Sequence, residues 1–372
     1  MSRTIVYVGE FQLPDKGAAA NRVVSNAKIF SQLGYKTIFL GAAASDESFD
    51  GIRKVDVCEN MFEEAHPRTS LQWAKHIFST KNIIRLVDEY NAEFVVLYNL
   101  PIVTALAVKF ALKNRNTQII YDCTEWTAFT SGSLPKRVFK AMDEWMLRNF
   151  LDRIVDRIIV ISSLMEQKYL SCKHIIKIPP LVDTEDAIWH QRQLRNDEVF
   201  EFCFAGVPDG NKESLDKIIY AFSSIDDKNI RLRLIGVTKD DCNRLYPELS
   251  KIINDNRIVC MGLLSHKETL KYVSECDCYV FIRISDRRNN AGFPTKFAEA
   301  YTLAVPVIST AISDISEYID AANGTVINDI DINSIKDAML GWIHKRKQID
   351  NILIRNEFDY RNYSDKVKEF LS

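Results

Sequence analysis

Apolar and polar positions along the chain repeat with two alternating periods. Short β-branched runs at Thr4–Gly9, Lys36–Gly41, Phe94–Asn99, Gln118–Cys123 and Arg157–Ser162 read as strands. Between them lie amphipathic stretches such as NRVVSNAKIFSQLG, in which Gly34 closes a predicted helix. This alternation is the signature of a parallel sheet covered by helices on both faces. Two prolines in HIIKIPPLVD, ending at Asp183, break the rhythm, and the polar TEDAIWHQRQLRNDE follows. The pattern then restarts with VFEFCFAG, RLRLIG, RIVCMG, CYVFIR and VPVIST. An α/β protein of two Rossmann-like parallel-sheet domains facing a cleft is predicted, with ligand at the strand C-terminal ends. The expected boundaries are 1–182 for the first domain and 183–355 for the second. Residues 356–372, in NEFDYRNYSDKVKEFL, are expected to return to the first domain as a helix.

Composition narrows the class of function. A net charge of -2 argues against a general nucleic-acid binder, which needs a basic excess. No apolar run reaches membrane-spanning length, and TIVYVG is too short for a signal core, so a cytoplasmic protein is expected. The eight cysteines fit neither a zinc framework nor a disulfide scaffold. Cys276 and Cys278 are expected as small core residues on one side of a strand.

The stretch NNAGFPTKFAEAYTLAVPVIST carries the candidate chemistry. A turn through Gly292, Phe293 and Pro294 leads into a helix holding Thr295, Lys296 and Glu299. Helix N-termini present unpaired N–H groups and partial positive charge, so they hold phosphates. Gly292 would admit a ligand close to the backbone, Lys296 would add a cation, and Glu299 could accept hydrogen bonds from vicinal hydroxyls. A diphosphate at the helix tip with a ribose one turn further in describes a sugar nucleotide. From composition alone, an i,i+3 Lys–Glu surface pair on an ordinary helix is the better reading.

AGFPTKFAEAYTLAVPVIST resembles the donor-binding segment of retaining GT-B glycosyltransferases of family four, the group 1 class. The AGFPTK form is similar to that of the bacterial surface-polysaccharide branch. FAGVPDGNKESLDKIIYAF resembles the family's phosphate-binding strand–loop–helix, and LPDKGAAANRVVSNAKIFSQLGYKTIFLG its first loop and helix. The chain departs from the family at Ala291, where a glutamate is common, and at Val207, where an arginine follows the strand. The resemblance implies a sugar moved from a nucleotide-diphosphate sugar, expected to be a UDP-sugar, to a glycan, glycolipid or protein-glycan acceptor, with retention. It implies no further cofactor.

Developing negative charge on the leaving phosphates calls for fixed cations, and Lys212, Lys296 and Arg283 are the candidates. Gly17, Gly206 and Gly262 are expected to bring backbone to the nucleotide, and Gly236 with Val237 to lie near its base. Asp122 and Glu125 in YDCTEW are expected just past a strand end, where either could orient an acceptor hydroxyl; a helix cap and first-turn acid is the other reading. Asp329 and Asp331 match a metal motif of another architecture, but a helix N-cap explains them better and no tightly held metal is expected.

SLPKRVFKAMDEWMLRNF sets Lys136, Arg137 and Lys140 among apolar residues and could rest on an anionic membrane surface, meeting a lipid-linked acceptor. Asp143 and Glu144 favour the alternative, a core-packed helix with a solvated basic face. Two other functions use the same architecture: a sugar-nucleotide epimerase, and a partner subunit without chemistry, for which Ala291 is the hint.

Overall fold

The computed structural model describes residues 3–14, 17–44, 47, 49, 51–55, 60–126, 134–190, 192, 198–208, 213–349 and 355–372. The chain divides into two compact units. Unit 1 comprises Met1–Val182 with Asp359–Ser372, and unit 2 comprises Asp183–Phe358.

Unit 1 is built on eight strands: β1 (Arg3–Gly9), β2 (Tyr35–Ala42), β3 (Ile52–Val55), β4 (Met61–Glu64), β5 (Phe94–Tyr98), β6 (Gln118–Cys123), β7 (Arg157–Val160) and β8 (Ile175–Lys177). Their order is β3-β4-β2-β1-β5-β6-β7-β8, parallel except for the antiparallel β3–β4 pair. The inner strands β1, β5 and β7 are buried along almost their whole length, as a sheet covered on both faces requires. The chain's last helix, Ser364–Leu371, packs in this unit, where Val367, Phe370 and Leu371 join the core of Ile5, Phe30 and Phe94.

Unit 2 holds β9 (Phe200–Ala205), β10 (Ile230–Ile235), β11 (Ile258–Gly262), β12 (Cys278–Phe281), β13 (Val307–Thr310) and β14 (Gly324–Ile327). The order β11-β10-β9-β12-β13-β14 is all parallel. Counted within the unit this is the 3-2-1-4-5-6 doubly wound order, whose direction reverses between β9 and β12. Strand order alone therefore marks the ends of β9 and β12 as the place for a ligand.

All ten strands expected from periodicity are present. The four not foreseen, β3, β4, β8 and β14, lie at or next to sheet edges and have three or four residues each. Cys276 ends a helix instead of sharing a strand with Cys278, although both are buried. Asp331 is the N-cap of helix Ile332–His344, accepting the Asn333 and Ser334 amides at 2.8 and 3.0 Å.

Candidate functional site

At the C-terminal ends of β9, β10 and β11 the chain runs through Gly206, Gly236 and Gly262. Gly236 has φ +91°, and a Cβ there would meet the Gly206 carbonyl oxygen at 2.4 Å, so only glycine fits. The Gly236 amide donates to the Gly262 carbonyl at 2.7 Å. Three neighbouring strand ends thus present bare backbone.

The loop after β9 returns to this rim at Glu213, which bridges Arg283 just past β12. Arg283 Nη2 donates to Glu213 Oε1 at 2.7 Å, and the Arg283 amide donates to Thr310 Oγ1 at 3.1 Å. Burial lowers the Arg283 guanidinium below its ordinary pKa, and Glu213 offsets part of that. The expectation of Arg283 as an independent cation for phosphates needs correction: its charge is already paired. Lys212 falls outside the described residues.

The expected turn at 291–294 begins as a short helix, Arg287–Ala291, because Asp286 caps the Asn289 amide at 2.7 Å. Gly292 follows with φ -77°, a conformation any residue adopts. Helix Thr295–Thr302 then starts at Pro294 with no side-chain cap and no acid in its first turn. What fixes this helix is an aromatic cluster. Phe293, Phe297 and Tyr301 recur every four residues and pack with Tyr318 and Phe358, ring centroids lying 4.8–6.2 Å apart. Phe293 is accordingly buried in packing, and Pro294 serves as the N-cap. Thr295 and Lys296, both half-buried, occupy the open first turn, and Lys296 forms no ion pair among the described residues.

Glu299 lies one turn further in and is only 6% exposed. Its Oε1 is 2.8 Å from His266 Nε2. His266 is the first residue of helix His266–Glu275, after the bare end of β11. A capping box of Ser265 and Glu268 sets that helix start. The His266–Glu299 contact therefore ties the helix carrying Lys296 to the glycine rim. In the sequence, His266 in LSHKE reads only as a turn residue or the neighbour of a helix N-terminus. The S-x-x-E pattern around it locates the helix, while its partner lies 33 positions away.

Gly17, Asp122 and Glu125 belong to unit 1. Gly17, at φ +86°, opens the 16-residue helix Gly17–Gln32 with open space around its Cα. Asp122 was expected past a strand end, yet it lies inside β6 and is 0% exposed. Arg22 Nη2 donates to its Oδ1 at 2.7 Å, the Tyr7 hydroxyl to Oδ2 at 2.5 Å, and Asn26 Nδ2 to Oδ2 at 3.2 Å. Arg22 Nη1 also donates to the Ile178 carbonyl at 2.9 Å. Burial, with the Asp122 charge second, pushes the Tyr7 phenol well above its ordinary pKa. Asp122 is thus a buried tie between β1, β6, the first helix and the residues before Val182, with no oxygen open to an acceptor. Glu125 does lie past β6 and is exposed.

Residues 200–345 match the family model described as Glycosyl transferases group 1. No curated protein matches the chain by sequence. Among solved structures, a glycosyltransferase from Rickettsia africae superposes with a TM-score of 0.71 at 14% identity, over 100% of this chain and 99% of that one. A structure of HepE from Anabaena in complex with UDP and glucose gives 0.69 at 13% identity, over 99% and 98%. Sucrose-phosphate synthase from Thermosynechococcus elongatus gives 0.68 at 14%, again over 99% and 98%. At such identities the likeness is one of fold. The chain has the GT-B fold of two parallel-sheet α/β domains, and the region matched by the group 1 glycosyl transferase model, 200–345, lies within unit 2.

Proposed function

We propose that the protein is a glycosyltransferase that takes a sugar from a nucleotide-diphosphate donor held on unit 2. One observation carries this reading: the uncapped N-terminus of helix Thr295–Thr302, with Lys296 in its first turn and the half-satisfied carboxylate of Glu299 one turn on. The N–H groups of Thr295 and Lys296 with the Lys296 ammonium suit a diphosphate. The Glu299 oxygen not held by His266 suits a pair of ribose hydroxyls. The glycine rim at Gly206, Gly236 and Gly262 gives a flat nucleobase close access to backbone. A UDP-sugar is the expected donor, supported by the UDP in the fold neighbour from Anabaena.

In the transfer, the bond from the anomeric carbon to the leaving phosphate oxygen breaks as a bond to the acceptor oxygen forms. Negative charge grows on the diphosphate, where the helix N–H groups and Lys296 stabilise it. On the retaining course, the acceptor proton passes to a leaving phosphate oxygen on the same face, so no strong protein base is needed. The acceptor is a hydroxyl of a glycan, glycolipid or protein glycan, and Glu125, exposed past β6, is a candidate to orient it.

Incubation with a panel of sugar nucleotides, reading nucleoside diphosphate release with and without glycan acceptors, tests this. Acceptor-dependent release supports it. Sugar isomerisation without an acceptor, or no binding of any member of the panel, would overturn it.

A further inference from the structure

Glycosyl transfer as described above uses none of the cysteines, yet two of them meet beside the glycine rim. Cys242 lies in helix Lys239–Leu245, whose start is fixed by a capping box of Thr238 and Asp241. Cys260 lies in β11, an edge strand of the unit 2 sheet. Cys242 is enclosed in the core, and Cys260, half-buried, packs against the same cluster. The Cys242 thiol donates a hydrogen bond to the Cys260 sulfur, and both cysteines are free.

The two thiols are unlike. The hydrogen bond from Cys242 lowers the Cys260 thiol below its ordinary pKa; burial opposes this, and the Lys239 ammonium adds to the lowering. The same contact, with burial, pushes the Cys242 thiol up. Thiolate character and access therefore both fall on Cys260, which has a second thiol in contact behind it. Cys276 and Cys203 form a similar hydrogen-bonded pair, but they are only 1% and 0% exposed. Among the described cysteines, Cys260 is the only one that is not buried. A small oxidant reaches the first pair and not the second.

Position gives the pair a consequence. Helix Lys239–Leu245 begins just after Gly236 and Val237, and Cys260 stands shortly before Gly262. The Gly236 amide donates to the Gly262 carbonyl at 2.7 Å, and the Gly262 amide to the Val237 carbonyl at 3.1 Å. Leu234 pairs with Cys260 but Ile235 with Gly262, so Met261 is an extra residue that bends the edge strand between them. A pull on Cys260 is carried to Gly262 and on to Gly236, which has no slack against the Gly206 carbonyl.

We propose that Cys242 and Cys260 form an oxidation site that couples hydrogen peroxide to nucleotide binding on unit 2. The Cys260 thiolate attacks a peroxide oxygen: an S–O bond forms, the O–O bond breaks, and hydroxide leaves as water after taking a proton. Cys242, losing its proton, attacks the sulfur of the resulting sulfenic acid. The S–S bond forms, the S–O bond breaks and a second water leaves. Two thiols lose two electrons, and one peroxide is reduced to two waters. A disulfide holds its sulfurs at about 2.05 Å, nearer than a hydrogen bond does, so the helix and β11 are drawn together and the rim is displaced. A dithiol reverses the step. The effect on the nucleotide rests on the donor reading of unit 2, whereas the disulfide does not.

The test treats the whole chain with hydrogen peroxide, then alkylates and digests it with trypsin. A disulfide joining DDCNR, 240–244, to IVCMGLLSHK, 258–267, is expected, and it should disappear after dithiothreitol. Titration calorimetry should show UDP bound roughly fivefold more weakly by the oxidised chain, with recovery in dithiothreitol. Cys260→Ser should abolish the cross-link and bind UDP equally with and without peroxide. Cys242→Ala should leave Cys260 as a sulfenic acid that dimedone traps, and circular dichroism checks that both variants are folded. Peroxide that leaves both thiols free, or joins either to another cysteine, would overturn the proposal. Unchanged UDP affinity in the cross-linked chain would overturn the coupling. If neither the reduced nor the oxidised chain binds UDP, the donor reading of unit 2 fails, while the peptide map still decides the disulfide.

Discussion

Asp122 in unit 1 and Glu299 in unit 2 are both buried carboxylates near the C-terminal ends of parallel strands or the helices that follow them. They differ in what is left of them for another molecule. Asp122 receives Arg22 through Nε and Nη2, the Tyr7 hydroxyl and Asn26, so both oxygens are filled. Among the described residues Glu299 has one side-chain partner, His266, on one oxygen. A carboxylate can accept about four hydrogen bonds, so Asp122 is saturated and Glu299 is not. Burial of a charge alone does not identify a ligand site. The number of its acceptor positions already occupied does.

The largest expected effect breaks the saturated member. Arg22→Met would leave Asp122 charged, enclosed and without its cation, and would strip the Ile178 carbonyl of a donor. Removing one partner of a buried pair costs about 3–5 kcal/mol. Urea unfolding should show the transition of unit 1 shifted by that amount and the transition of unit 2 in place. Exchanging both Arg22 and Asp122 for apolar residues of similar volume should recover much of the loss, because no stranded charge remains. A small effect of the single change would mean that water reaches Asp122.

The contrast also explains what could be read from the sequence. The inner strands were legible because they are buried on both faces and read as unbroken apolar runs, as in FVVLY and CYVF. The strand IRKV of β3 and the strand IIK of β8 escaped because an edge strand needs one partner and little burial. The helix at Thr295 was legible from the turn that ends at Pro294, a local signal. The pairings were not. Arg22 and Asp122 are 100 positions apart, Glu213 and Arg283 are 70 apart, and His266 and Glu299 are 33 apart. Whether a charged residue is free or neutralised depends on such distant partners. For that reason Asp122 and Arg283 looked available in the sequence and are engaged in the structure.

A smaller effect is expected at the unsaturated member, and it should appear in binding instead of stability. Glu299→Gln keeps the shape and loses the charge that would accept ribose hydroxyls. Titration calorimetry with UDP should show affinity weakened by about 1.5–3 kcal/mol, the range for hydrogen bonds to charged groups. The unfolding of unit 2 should hardly move, since Glu299 gives up only its contact with His266. Unchanged UDP affinity would return Glu299 to an ordinary helix carboxylate and remove the distinction drawn from Asp122.

The smallest effect concerns His266, which positions Glu299 and is not itself assigned to the nucleotide. Its ring is about a third exposed, and the helix it begins is fixed independently by Ser265 and Glu268, whose side chains each accept the other's backbone amide. Losing the ring should therefore spare the fold. His266→Ala would free Oε1 of Glu299 and let the carboxylate rotate away from the orientation a ribose requires. The expected loss in UDP affinity is about 1 kcal/mol, the ordinary net worth of one hydrogen bond. His266→Gln, whose amide can still donate to the carboxylate, should recover most of it. A purely packing role predicts something else: equal losses in the alanine and glutamine variants, matched by a lower unfolding temperature. Combining His266→Ala with Glu299→Gln adds a sharper criterion. If His266 acts through Glu299, its removal should change little once the carboxylate is gone, because contacting residues that form one unit are not additive. Fully additive losses would mean that His266 meets the nucleotide by a route of its own, and Glu299 would then owe its orientation to its helix alone.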